Sequence, residues 1–109
     1  MTHLWLMQAV EDELKQNKGS FIITSSAAGL KPGGSSMAYS VTKAGAIHLT
    51  KCLAKATAPN VRVNAVAPGM MMTEWSQGFT QEKIDTVKKG NTLQQISDIE
   101  DCARSYGEF

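Results

Sequence analysis

Tyr39 and Lys43 stand four positions apart in the stretch "AYSVTKAG", residues 38–45. On a helix, that spacing puts both side chains on one face, one turn apart. A free phenol ionises only near pH ~10, above the range where a general base is useful. A fixed ammonium beside a phenol favours the phenolate, and so does the positive end of a helix dipole. The pair therefore has the makings of a general acid/base. Taken alone it proves little, because Y-x-x-x-K falls by chance on many helices, where it is a core tyrosine and a solvated lysine.

A second polar group strengthens the case. Ser26 ends the apolar, β-branched run "SFIITSS" and lies thirteen positions before Tyr39. In a parallel α/β sheet, reactive groups collect beyond the carboxyl ends of the strands. The intervening "AAGLKPGGSS" is rich in turn formers, so the chain can double back and set the helix start beside the serine. A hydroxyl there can donate to a carbonyl oxygen or accept from an alcohol. Ser25 competes for this role, and the strand alternation favours Ser26.

These groups need elements to hold them. Residues 3–17 carry Leu6, Met7, Val10 and Leu14 at helical spacing, and Gly19 closes the helix. The run 20–26 reads as a strand buried on both faces. Residues 38–57 read as a helix with more than one apolar stripe, where Gly45 allows close backbone approach and Pro59 ends the segment. A second strand follows at 61–68, then an irregular stretch at 70–79. Its Met70, Met72, Trp75 and Phe79 have the character of a cover over an apolar ligand. Thr80 caps a helix at 81–89 that Gly90 ends, and Ser97 with Glu100 fits a capping box for a last helix. Strands alternating with helices predict an α/β fold with a parallel sheet.

Composition narrows the function classes. The chain has 109 residues, 42% of them apolar, and a net charge of +1. That balance argues against a nucleic-acid partner, and Lys88-Lys89 reads as a solvated helix end. Cys52 and Cys102 read as two buried, reduced thiols of a cytosolic protein, with no metal-ligand spacing. No apolar run approaches the ~18 residues of a membrane span. The opening "MTHLWLMQAVEDEL" lacks the basic start of a signal peptide. Ser40 and Lys43 spell the S-x-x-K of an acyl-enzyme hydrolase, but the S-D-N and K-T-G that such enzymes need do not occur.

"IITSSAAG", "AYSVTKAG" and "VRVNAVAPGMMMTE", in that order, resemble the later part of the catalytic domain of short-chain dehydrogenase/reductases. The resemblance runs from about Leu4 to Ala103. It implies a partial Rossmann-like domain over 1–109, a doubly wound parallel sheet lacking its N-terminal dinucleotide-binding half and its last strand. It also implies roles. Ser26 polarises the substrate oxygen, Tyr39 gives or takes its proton, and Lys43 holds the nicotinamide ribose and assists Tyr39. Pro68 and Gly69 form the turn bordering the nicotinamide. Met71 takes the place of the residue whose backbone meets the carboxamide, and Thr73 contacts the cofactor nearby. The implied reaction is hydride transfer between NADP or NAD and a secondary alcohol or carbonyl, in a cytoplasmic homodimer or homotetramer. The family's glycine-rich turn and its catalytic asparagine would precede Met1. The 109 residues alone are therefore expected to be inactive, and a non-catalytic remnant that keeps only an association surface is the alternative expectation.

Overall fold

The computed structural model describes the backbone of residues 1–109 and every side chain except that of Trp75. The chain divides into two compact units, Met1–Ala67 with Phe109, and Pro68–Glu108.

The first unit is built on two parallel strands, β1 (Ser20–Thr24) and β2 (Arg62–Val66), paired from Ser20 opposite Arg62 to Thr24 opposite Val66. Phe21, Ile23 and Val63 share one face of the pair by the two-residue strand period, and all three are buried. Two helices cover that face. Helix α1 (Thr2–Gln16) contributes Met7, and α2 (Met37–Thr57) contributes Ala46 and Leu53. The opposite face, expected to be buried, is not: Ile22, Asn64 and Val66 are half-buried and Thr24 is exposed. An unbroken β-branched run marks a strand that can be covered twice, while the number of covering elements decides whether it is. The expected order of helices and strands holds.

Helix α2 lies where its periodicity predicts. Ser36 caps it, and Thr50 and Thr57 satisfy their buried hydroxyls on the carbonyls of Ala46 and Leu53, at 2.8 and 2.9 Å. Three details differ from expectation. Gly45 has no neighbour within 4 Å of a would-be Cβ, so it mediates no close approach. Cys52 is exposed rather than buried, and Cys102 is half-buried. Helix α1 stops at Gln16, and Lys18, at φ 50°, takes the left-handed backbone expected of Gly19.

The second unit holds a short 3-10 segment (Glu74–Gly78), α3 (Gln81–Gly90) and α4 (Ile99–Ser105). Thr80 caps α3 as expected, accepting from the Lys83 amide at 3.2 Å. The cap of α4 is Asp98, which accepts from the Glu100 amide at 3.3 Å. Ser97, predicted as the cap, instead pairs with Met71 in an isolated parallel bridge. Among the described residues, no helix is long and apolar enough to cross a membrane, and no cluster of His, Cys, Asp or Glu could hold a metal ion.

Ile23, at 0% exposure, lies at the centre of the first unit's core. Ile23→Ala is expected to lower the stability of the chain by about 2–5 kcal/mol. Val41→Ala, on an exposed side chain, should stay within about 0.5 kcal/mol of the parent. Urea midpoints of the two variants measured together check this contrast.

Candidate active site

The end of β1 separates the two candidate serines. Ser25 extends the ladder by donating its amide to the Val66 carbonyl at 2.7 Å. Its side chain is buried, and its hydroxyl donates to the Lys43 carbonyl at 2.7 Å. That hydroxyl is committed to joining strand and helix. Ser26 leaves the sheet and caps a 3-10 turn, Ala27–Gly29, its Oγ accepting from the Ala28 amide at 3.2 Å. Accepting there leaves its own proton to give to another oxygen. Ser26 is half-exposed, and of the two it is the serine able to meet a ligand.

The 3-10 turn sits hard against α2. A Cβ on Gly29 would lie 2.6 Å from the Lys43 carbonyl carbon and 2.7 Å from its oxygen. Ser40 ties the same turn from the helix side, donating to the Ala28 carbonyl at 2.6 Å. Its proton is thus spent on backbone, which removes the support for the S-x-x-K reading.

Tyr39 lies in the first turn of α2, where its amide donates to the capping Ser36 Oγ at 3.1 Å. The ring is partly exposed, and among the described residues no hydrogen bond reaches its hydroxyl. Lys43 Nζ donates to the Thr24 carbonyl at 3.2 Å and lies 5.7 Å from the centre of the Tyr39 ring. That distance is within the range in which a cation is attracted to an aromatic face. The structure thus gathers the strand end, Tyr39 and Lys43 through one ammonium, with Ser26 two residues beyond Thr24. An ammonium has three donors, so Lys43 can hold the hydroxyls of a ribose while keeping Thr24.

The remaining predicted residues lie in the second unit. Pro68 is half-buried and Gly69 exposed. Met71 uses backbone groups in the bridge to Ser97, a role the motif did not reveal. Thr73 is held by the buried Ser76, whose Oγ accepts from the Thr73 amide and donates to its carbonyl, both at 2.7 Å. Met72 lines a cleft of about 520 Å³ together with Ile84, Ile96, Ile99, Lys88 and Asp98. Phe79 carries the Lys83 ammonium 4.0 Å over its ring. Of the expected apolar cover, Met72 faces a cavity, while the Trp75 side chain lies outside the described residues.

Comparison with known proteins decides the family. The family described as Enoyl-(Acyl carrier protein) reductase matches residues 2–107. The short-chain dehydrogenase/reductase homolog YusR of Bacillus subtilis (strain 168) is 40% identical over 98 residues, covering 89% of this chain and 75% of the relative. The chain belongs to the short-chain dehydrogenase/reductase family. Human dehydrogenase/reductase SDR family member 4 is 36% identical over 102 residues, but this chain spans only 37% of its length. Among solved structures, the 3-oxoacyl-[acyl-carrier protein] reductase of Brucella melitensis ATCC 23457 superposes with a TM-score of 0.84 at 26% identity, over 95% of this chain and 40% of that one. ElxO, solved with NADP bound, gives 0.82 at 27% identity, over 95% and 44%. The α/β architecture with a parallel sheet expected from the sequence is what the chain shares with these structures, as part of their Rossmann-like domain.

Several site residues escaped the sequence reading. Ser36 carried a signal, standing just before the helix and three residues ahead of Tyr39, the usual place of a cap. Ser76 stands three residues after Thr73, the spacing of a capping box that the reading did not use, and Ser97 was read only as a helix cap, its bridge to Met71 being brought about by folding. The glycines give a test of opposite signs. Gly29→Ala must force two backbones apart and should destabilise by about 1–3 kcal/mol. Gly45→Ala sits in open space within a helix and should stabilise by about 0.5–1 kcal/mol. Denaturant unfolding of both variants checks the prediction, and the same sign for both would contradict it.

Proposed function

We propose that this dehydrogenase/reductase chain carries the proton-transfer residues of an NAD(P)-dependent oxidoreductase acting on a secondary alcohol or carbonyl. On this reading residues 1–109 form one partial catalytic domain. The supporting observation is the cluster in which Lys43 Nζ joins the Thr24 carbonyl to the Tyr39 ring. The nicotinamide supplies hydride chemistry when bound. Ser26 donates to the substrate oxygen and orients it. Tyr39, whose hydroxyl meets no described residue, gives that oxygen its proton or takes it back. Lys43 holds ribose hydroxyls with the N–H groups that Thr24 leaves to it. Pro68, Gly69, Met71 and Thr73 border the nicotinamide. NADP and NAD both suit these residues, and the relatives' names favour 3-oxoacyl thioesters as the first carbonyl probes. The same reading assigns the protein to the cytoplasm, its full-length form being a homodimer or homotetramer.

A second reading, an association module without turnover, is favoured by the exposed apolar side chains Trp5 and Leu6 on α1 and Val41 on α2. The two separate on nicotinamide binding. NADPH and NADH titrations followed by tryptophan fluorescence, then loss of NADPH absorbance with 3-oxoacyl thioesters, are the measurements. The enzyme reading expects the 109 residues alone to be inactive and expects binding and turnover once they are joined to an N-terminal dinucleotide-binding half; absence of both in that extended chain would establish the second. Tyr39→Phe removes the transferred proton and nothing else, so turnover should drop on the order of 10²–10⁴-fold while NADPH binding persists. Undiminished turnover in that variant would remove Tyr39 from the reaction.

A further inference from the structure

The Ser36 cap fixes the backbone of Tyr39 but not its ring, since the torsion about Cα–Cβ still offers three staggered wells. No hydrogen bond from a described residue holds the hydroxyl either, and the side chain is 37% exposed. Something else must choose the direction of the phenol. Gly34 is the residue placed to do so. It has φ +81°, a left-handed backbone that glycine adopts without cost. A Cβ built on it would lie 2.7 Å from Tyr39 Cδ1, 2.9 Å from Cε1 and 3.1 Å from the Ala28 Cβ. The α-hydrogen that stands in place of that Cβ is therefore pressed against the ring.

The contrast with Gly29 sharpens the meaning of this contact. At Gly29 the obstacle is helix backbone, which cannot yield without loss of packing. At Gly34 the obstacle is a partly exposed ring on a rotatable bond, so the ring is what gives way. Gly33, next in the chain, has nothing within 4 Å of a would-be Cβ. The loop thus contains two adjacent glycines, one in contact with the reactive side chain and one in open space.

We propose that Gly34 is a positioning residue for Tyr39: its bare α-carbon is the stop against which the phenol ring rests, and it selects the rotamer that presents the hydroxyl to a ligand. The use made of that rotamer in catalysis rests on the acid/base reading above, whereas the contact itself does not.

The test uses the full 109-residue chain with isotope-labelled tyrosine, Tyr106→Phe serving to assign the Tyr39 ring signals. Gly34→Ala should move the Tyr39 ring resonances and abolish the cross-peaks between residue 34 and the ring, leaving the amide spectrum of β1, β2 and α1 in place. Gly33→Ala should leave the ring signals unchanged. A chain carrying D-alanine at position 34, assembled by ligation at Cys52, keeps the left-handed backbone and turns its methyl away from the position built for the L-residue. It should restore the parental ring signals. Unmoved ring signals in Gly34→Ala, or an equal shift in Gly33→Ala, would overturn the proposal, as would failure of D-alanine to restore a folded chain's ring signals. NADPH-dependent turnover, measured with these residues joined to an N-terminal dinucleotide-binding half, then separates the two readings. If Tyr39 is the acid/base, Gly34→Ala should lose turnover on the order of 100-fold with NADPH affinity retained. Full turnover in Tyr39→Phe would end the acid/base reading and leave the ring result to stand.

Discussion

Two backbones meet at Gly29 with room for a hydrogen and nothing more. The 3-10 turn that follows β1 lies so near Lys43 that any side chain at residue 29 would enter the helix carbonyl. Most of the geometry of the site descends from that approach. The turn starts one residue after Ser26 and ends at Gly29. Pressing it onto α2 therefore sets how far Ser26 stands from the helix that bears Tyr39 and Lys43. Ser25 and Ser40 fasten the same contact on either side, through the Lys43 and Ala28 carbonyls. Hydrogen bonds of this kind add only ~1 kcal/mol each, but they are directional, and direction is what a steric contact lacks.

The motifs were legible because they are short-range. A tyrosine and a lysine four apart share a helix face whatever surrounds them, and Ser26 at the strand end needs only the local reading of strand and loop. Element order was legible for the same reason. The sequence misled where the answer depended on what covers a group. Ile22 has the residue type of a strand buried twice, yet it is only half-buried, because helices pack on one face of the pair. Cys52 sits in an apolar helix and is nonetheless exposed. Gly45 has the residue type of a close approach with no partner to approach. The cap of α4 failed differently. Ser97 and Asp98 are both good caps, and the bridge to Met71, invisible in the sequence, uses Ser97 and leaves the cap to Asp98.

The buried hydroxyls share one pattern of bonding, and the hydroxyls of the candidate site depart from it. Ser25, Thr50, Thr57 and Ser76 are buried, and each donates to a main-chain carbonyl. A buried hydroxyl without a partner is costly, so these four have no freedom to serve a ligand. Ser36 and Ser26 stand nearer solvent and accept from main-chain amides. Acceptance organises the turn and the helix start while leaving the hydroxyl proton to bond elsewhere. Tyr39 goes furthest, with an amide that anchors and a hydroxyl that bonds to no described residue. Lys43 combines both behaviours in one group, spending one N–H on Thr24 and keeping two. The residues that the motifs single out are thus the ones whose polar atoms the fold supports without using up. Residue type alone could not have drawn that line, since serine stands on both sides of it.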